Sequence, residues 1–154
     1  MHLRTVAYLL TLLALCPSAL AASDHLKLQP LPLAEVSPIT GEACGCIAFS
    51  QGVPLTVENI LKSSASYDGP HLVRIAGTTR TLKRLGPPQG RNPYVNRFAS
   101  GSLRITSRTR EVKYQEHCAA YADPLPHGSC FLGTLTVKEG RSSFSQKILE
   151  LCGC

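Results

Sequence analysis

Residues 134–152, Thr-Leu-Thr-Val-Lys-Glu-Gly-Arg-Ser-Ser-Phe-Ser-Gln-Lys-Ile-Leu-Glu-Leu-Cys, decide the fold. From Thr134 to Lys138, hydroxyl and charged side chains alternate with Leu135 and Val137. That period of two is the mark of a strand with one buried face. Glu139-Gly140 supplies a turn, and the segment from Ser143 to Cys152 returns. Two strands joined so briefly are antiparallel neighbours. Lys147-Ile148-Leu149-Glu150-Leu151 breaks the alternation, so the face of this stretch stays open.

Upstream the same pattern recurs. In Gly101–Arg108, Leu103 and Ile105 should face the core and Arg104 should face out; Glu111–Gln115 repeats the alternation. Leu72–Ile75 and Thr78–Leu85 flank Gly77, which reads as a tight turn, and Thr-rich apolar runs suit strands. Gly86–Pro93 reads as an irregular loop and Cys44–Phe49 as a first strand. Leu55–Lys62 reads as one or two helical turns. Thr56 would cap them, Glu58 would sit in the first turn, and Val57, Ile60 and Leu61 would share a face. Ser63–Pro70 is loop and turn. The predicted fold is mainly β: a small antiparallel sheet or partly closed barrel with one short helix, disulfide-stabilised. Both an oligonucleotide/oligosaccharide-binding-type barrel and a lipocalin-like barrel accommodate this pattern, and neither implies a function.

Residues 1–21 read as a signal peptide. His2 and Arg4 form a short polar start, and Val6–Leu15 is apolar apart from Thr11. That run suits a signal core and is too short for a membrane span of roughly 20 residues. Ala19 and Ala21 place small residues before a cut at Ala22. The alternative is a lipid anchor on Cys16, but Leu15 is larger than a lipobox prefers before its cysteine. Either route exports the protein, as a secreted or periplasmic species or as a lipid-anchored one. Residues 22–42 carry Pro30, Pro32 and Pro38 and read as a loose arm, which places the compact β-rich domain at 43–154.

Beyond the leader the cysteines are Cys44, Cys46, Cys118, Cys130, Cys152 and Cys154. An even set in an exported chain reads as a disulfide framework. Cys44-Gly45-Cys46 and Cys152-Gly153-Cys154 each put two sulfurs on one face of a strand, where they cannot easily bond to each other. Two such units on neighbouring strands form two rungs, leaving Cys118 to pair with Cys130. Antiparallel strands give Cys44–Cys154 and Cys46–Cys152; parallel strands give Cys44–Cys152 and Cys46–Cys154. The hairpin pattern favours the antiparallel set. Paired C-x-C units also suggest a soft-metal site, but structural zinc uses wider spacing and export favours oxidation. No metal and no cofactor is therefore expected.

The chain holds 16 Lys and Arg against 10 Asp and Glu, and no Trp. The charge is uneven, because residues 74–113 contain ten basic side chains and a single acid, Glu111. Such a segment attracts polyanions or acidic partners; the same charges also serve simply to solvate strand faces. Arg80, Arg84, Arg104, Arg108 and Arg110 are the candidate ligand-binding residues, pictured as one outward patch with Tyr94 and Phe98 nearby. Arginine suits sulfate, phosphate and carboxylate groups. Catalytic constellations are missing. The sequence has no G-x-S-x-G elbow, no H-E-x-x-H and no phosphate loop. His71, His117 and His127 are not spaced to pair with a nucleophile, and Glu111 and Glu116 fall on opposite strand faces. The expected function is a non-catalytic exported binding module for an anionic polymer or protein partner, which includes inhibitors of secreted enzymes. A hydrolase with an unrecognised site and a structural envelope component are the alternatives.

Overall fold

The computed structural model describes residues 25–32, 34, 44–60, 69–87, 89–90, 93–121 and 128–153. The alternating segments form strands that close on themselves. They are β1 (Leu28–Gln29), β2 (Cys44–Ser50), β3 (Val53–Ile60), β4 (His71–Ile75), β5 (Thr78–Arg84), β6 (Tyr94–Ser100), β7 (Leu103–Val112), β8 (Ser129–Glu139) and β9 (Ser142–Gly153). Each strand from β2 to β8 pairs antiparallel with the next in sequence, and β9 pairs back with β2. The result is a closed eight-stranded up-and-down barrel. Closure removes the open edges that would invite aggregation.

The two ends of the barrel differ. At one end, β2–β3, β4–β5, β6–β7 and β8–β9 are joined by two-residue turns. Ala76-Gly77 has φ of 49° and 78°, the type I′ pattern, whose twist matches that of the flanking strands. Gly140 opens the β8–β9 turn at φ 58°. At the other end lie the start of β2 and the end of β9, and there longer stretches of sequence, 61–70, 85–93 and 113–128, separate β3 from β4, β5 from β6 and β7 from β8.

Inward residues follow the strand period. Leu103 and Ile105 are fully buried while Arg104 is exposed, as the alternation predicts. The main core joins them to Val73, Leu82, Phe98, Leu135, Val137 and Ile148. Burying a side chain of this size contributes roughly 1.5–3 kcal/mol each. Ile148 is the inward member of the stretch whose pattern was ambiguous, and Glu150 is buried beside it.

Four findings depart from the sequence reading. Residues 55–62 are not helical over their described part, because β3 runs through them to Ile60. Both β2 and β4 offer β3 a ladder, and that pairing overrides a weak local helix signal. The short helix is instead α1 (Tyr114–His117), next to the buried cluster of Cys118, Cys130 and Leu151; it takes up Tyr114, Gln115 and Glu116, so the strand read over Glu111–Gln115 ends at Val112 and Glu116 is on no strand face. Strand β6 was not anticipated. The arm is not loose where it is described: Leu28 and Gln29 pair with Ile75 and Arg74, beyond the point where β3 stops pairing with β4. There Leu26 and Leu28 enter the core, Leu31 donates its backbone N–H to Pro54 at 3.0 Å, and Gln29 Oε1 accepts from Gly77 N at 2.7 Å.

Cys46 and Cys152 face each other on β2 and β9 and are bonded, which confirms the antiparallel arrangement of the two C-x-C units. Cys118–Cys130 is the second bond read from the sequence. Cys44 is also disulfide-bonded; its predicted partner, Cys154, lies outside the described residues, as do the signal segment and Cys16. Among the described residues no helix is long and apolar enough to cross a membrane.

Candidate anion-binding wall

The barrel divides the five candidate arginines between two environments. Arg104, Arg108 and Arg110 alternate with buried Leu103, Ile105, Ser107 and Thr109 on β7, so all three point outward and are exposed. Arg80 and Arg84 share the inward phase of β5 with buried Leu82. They therefore do not join the outward patch pictured from the sequence. Arg80 sits near the tight-turn end and pairs with Glu139 at 3.1 Å, where Ser102 also donates to Glu139. Arg84 lies near the long-loop end, donating to Asn96 Oδ1 at 2.7 Å with its guanidinium 4.9 Å from the Phe98 ring centre. Tyr94 and Phe98 also turn inward: Phe98 is buried, and Tyr94 packs edge-on against Phe131 at 5.7 Å. The sequence reading failed here because it grouped arginines by proximity in the chain, without the register that sets their faces.

The register also adds cations that the sequence reading left out. Across the outer face, Lys83 pairs with Ala99, Ala99 with Arg104, Arg104 with Lys138, and Lys138 with Ser143. A second row runs Arg97, Thr106, Thr136, Ser145, and a third runs Val95, Arg108, Thr134, Lys147. Arg110 stands opposite Leu132 in the next row. Neighbouring strands lie about 4.8 Å apart, and like-facing residues along a strand about 6.8 Å. Lys83, Arg97, Arg104, Arg108, Arg110, Lys138 and Lys147 are all exposed.

No acidic residue occupies the outward phase of β6, β7, β8 or β9; Glu111, Glu139 and Glu150 are all in the inward phase. Arg97 donates to Gln89, and Arg104 to the carbonyls of Gly101 and Leu103, none of them an anion. Hydroxyls fill the space between the charges, with Thr136 and Ser145 hydrogen-bonded to each other at 2.9 Å. Toward the long-loop end the wall becomes apolar, and Val112, Cys130, Leu149 and Leu151 pack there with Tyr114 and Cys118.

The barrel interior holds a second group of polar residues. His71 is buried and stacks on Phe98, ring centres 3.9 Å apart. Its pKa falls from 6.5 to about 3, chiefly because burial penalises the charged form, with the positive charge of Arg84 adding to the effect. Neither ring nitrogen has a hydrogen-bond partner, so His71 is not paired with a nucleophile. Cys46, Cys152 and Glu150 place their ligating atoms within 4.8 Å of one another. The two sulfurs are bonded to each other, however, and offer no thiolate to a metal. His117 is an exposed residue of α1.

No protein-family model matches this chain, and no curated protein or solved structure matches it either. Any functional reading therefore rests on the wall and the interior themselves.

Proposed function

We propose that the protein is an exported, non-catalytic binding module that takes a linear anionic polymer on the outer wall formed by β6, β7, β8 and β9. One observation carries this reading: the exposed cations of that wall lie in register with no acid on the same face. A surface that only needed solvation would mix both signs, because interspersed charges avoid self-repulsion. A single-signed field raises the local concentration of an oppositely charged polymer and speeds its capture. Arginine adds fork-shaped donation to sulfate or phosphate, and the hydroxyls between the cations can donate to the same groups. The disulfides fit an oxidising compartment, where envelope or matrix polyanions are the available ligands.

The test is retention on immobilised polyphosphate and on immobilised heparin. The wild-type protein should be retained at low salt. The triple variant Arg104→Glu/Arg108→Glu/Lys138→Glu should elute far earlier. Arg80→Gln, which changes an inward residue, should elute with the wild type. Wild-type protein in the flow-through of both columns, or co-elution of the triple variant with it, would refute the reading.

A further inference from the structure

Among the described residues, four side-chain atoms inside the barrel are buried and have no hydrogen-bond partner: both ring nitrogens of His71, Ser107 Oγ and Gln146 Oε1. All three residues lie in the inward phase of their strands. Ser107 stands between Asn96 and Leu135, and Leu135 stands next to Gln146, so one rung carries Asn96, Ser107, Leu135 and Gln146. His71 approaches that rung by stacking on Phe98, which follows Ser107's neighbour Asn96 by one inward position along β6. Diagonal neighbours of this kind are roughly 7–8 Å apart.

Native interiors leave few polar groups unpaired, and each one left so is costly. Several in one part of a barrel call for an occupant. The chemistry of these atoms defines what fits. Gln146 Oε1 only accepts. A neutral imidazole donates from one nitrogen and accepts at the other, and the Ser107 hydroxyl can do both. None of the unpaired groups is charged, and the guanidinium beside them, that of Arg84, already donates to Asn96 Oδ1 at 2.7 Å and lies against the Phe98 ring. A complementary molecule must therefore both donate and accept, and it carries no net charge.

We propose that the barrel interior around His71, Ser107 and Gln146 is a binding site for one small uncharged molecule bearing both hydrogen-bond donors and acceptors, such as a cyclic urea or lactam. This site is separate from the outer wall and does not depend on it. A side chain kept for ligand binding is a cost to the empty protein, so replacing it should stabilise the empty form.

The experiment uses 2-imidazolidinone as the neutral probe and acetate as the anionic control, with the intact disulfide-bonded protein. Nitrogen NMR of the His71 ring follows occupancy. Calorimetry gives affinity, and a high-resolution crystal soaked with the probe shows what fills the interior. The probe should saturate, shift both His71 nitrogen signals and appear hydrogen-bonded to Ser107 or Gln146. Ser107→Ala and Gln146→Met should each raise the Tm of the empty protein and weaken probe binding at least tenfold. Two variants are needed so that misfolding of one does not end the test. Ordered water alone in the interior with no probe response, or acetate binding in place of the probe, would overturn the proposal.

Discussion

Two inward residues with opposite relations to charge make the sharpest predictions. His71 stays neutral in the folded barrel down to a pH of about 3, whereas in the unfolded chain it takes up its proton near 6.5. The unfolded state thus binds more protons between those values, and falling pH favours it. The contribution is fully present above about pH 6.5 and is lost as pH falls towards 3, at up to about 1.4 kcal/mol per pH unit. His71→Phe, which keeps a ring against Phe98, should flatten the acid limb between about pH 6 and 4.5 in denaturant titrations. An unchanged limb would show that burial is not what sets it. Arg80 is the opposite case. Its pair with Glu139 is partly solvent-exposed, with side-chain exposures of 36% and 27%. Arg80→Gln should therefore cost no more than about 1 kcal/mol in the same titrations.

At the scale of elements, the arm and the β7–β8 ladder set the energetics. Leu28 is buried in the core from a strand of two residues, so Leu28→Ala should destabilise the protein by about 2–5 kcal/mol. A negligible loss would mean that the arm is not part of the folded unit. Gly133 admits no side chain, because a Cβ there would stand 2.1 Å from the carbonyl oxygen of Arg108. Gly133→Ala must push β7 and β8 apart and should cost about 1–3 kcal/mol or more, with a lower midpoint in urea. The Cys118–Cys130 bond closes a short loop at a sequence separation of 12, and its loss in Cys118→Ala/Cys130→Ala should cost roughly 3 kcal/mol in the chain-entropy model.

These elements also show what the sequence made legible. The β8–β9 hairpin, the alternation of β7, the Gly77 turn and the Cys46–Cys152 bond were readable, because period, turn chemistry and cysteine spacing are local signals. Strand β6 was not, since Asn96 and Arg97 interrupt its apolar residues and a Gly- and Pro-rich loop precedes it. The identity of β3 as a strand depends on β2 and β4, and the burial of Leu26 and Leu28 depends on where β3 leaves β4. Both are properties of the closed barrel rather than of any short window. The candidate site was half legible for the same reason. Arg104, Arg108 and Arg110 share a face by counting along one strand, whereas Lys83, Arg97, Lys138 and Lys147 join them only through register between strands.

At the scale of the whole molecule, a closed barrel carries a one-signed outer wall. The export proposal predicts a mature N-terminus at Ala22 by intact mass; a mass that retains Cys16 plus a diacylglycerol would place the protein on a membrane instead. The wall makes the central claim. Its most direct test is the affinity for polyphosphate measured across salt concentrations in wild type, Arg108→Gln and Arg104→Gln/Arg108→Gln/Lys138→Gln. If the wall holds the polymer by displacing counterions, log K should fall linearly with log salt, and each removed cation should reduce the slope by roughly 0.7–1, as for single- and double-stranded nucleic acid. Affinity in wild type that does not vary with salt, or a slope identical in all three proteins, would contradict the account.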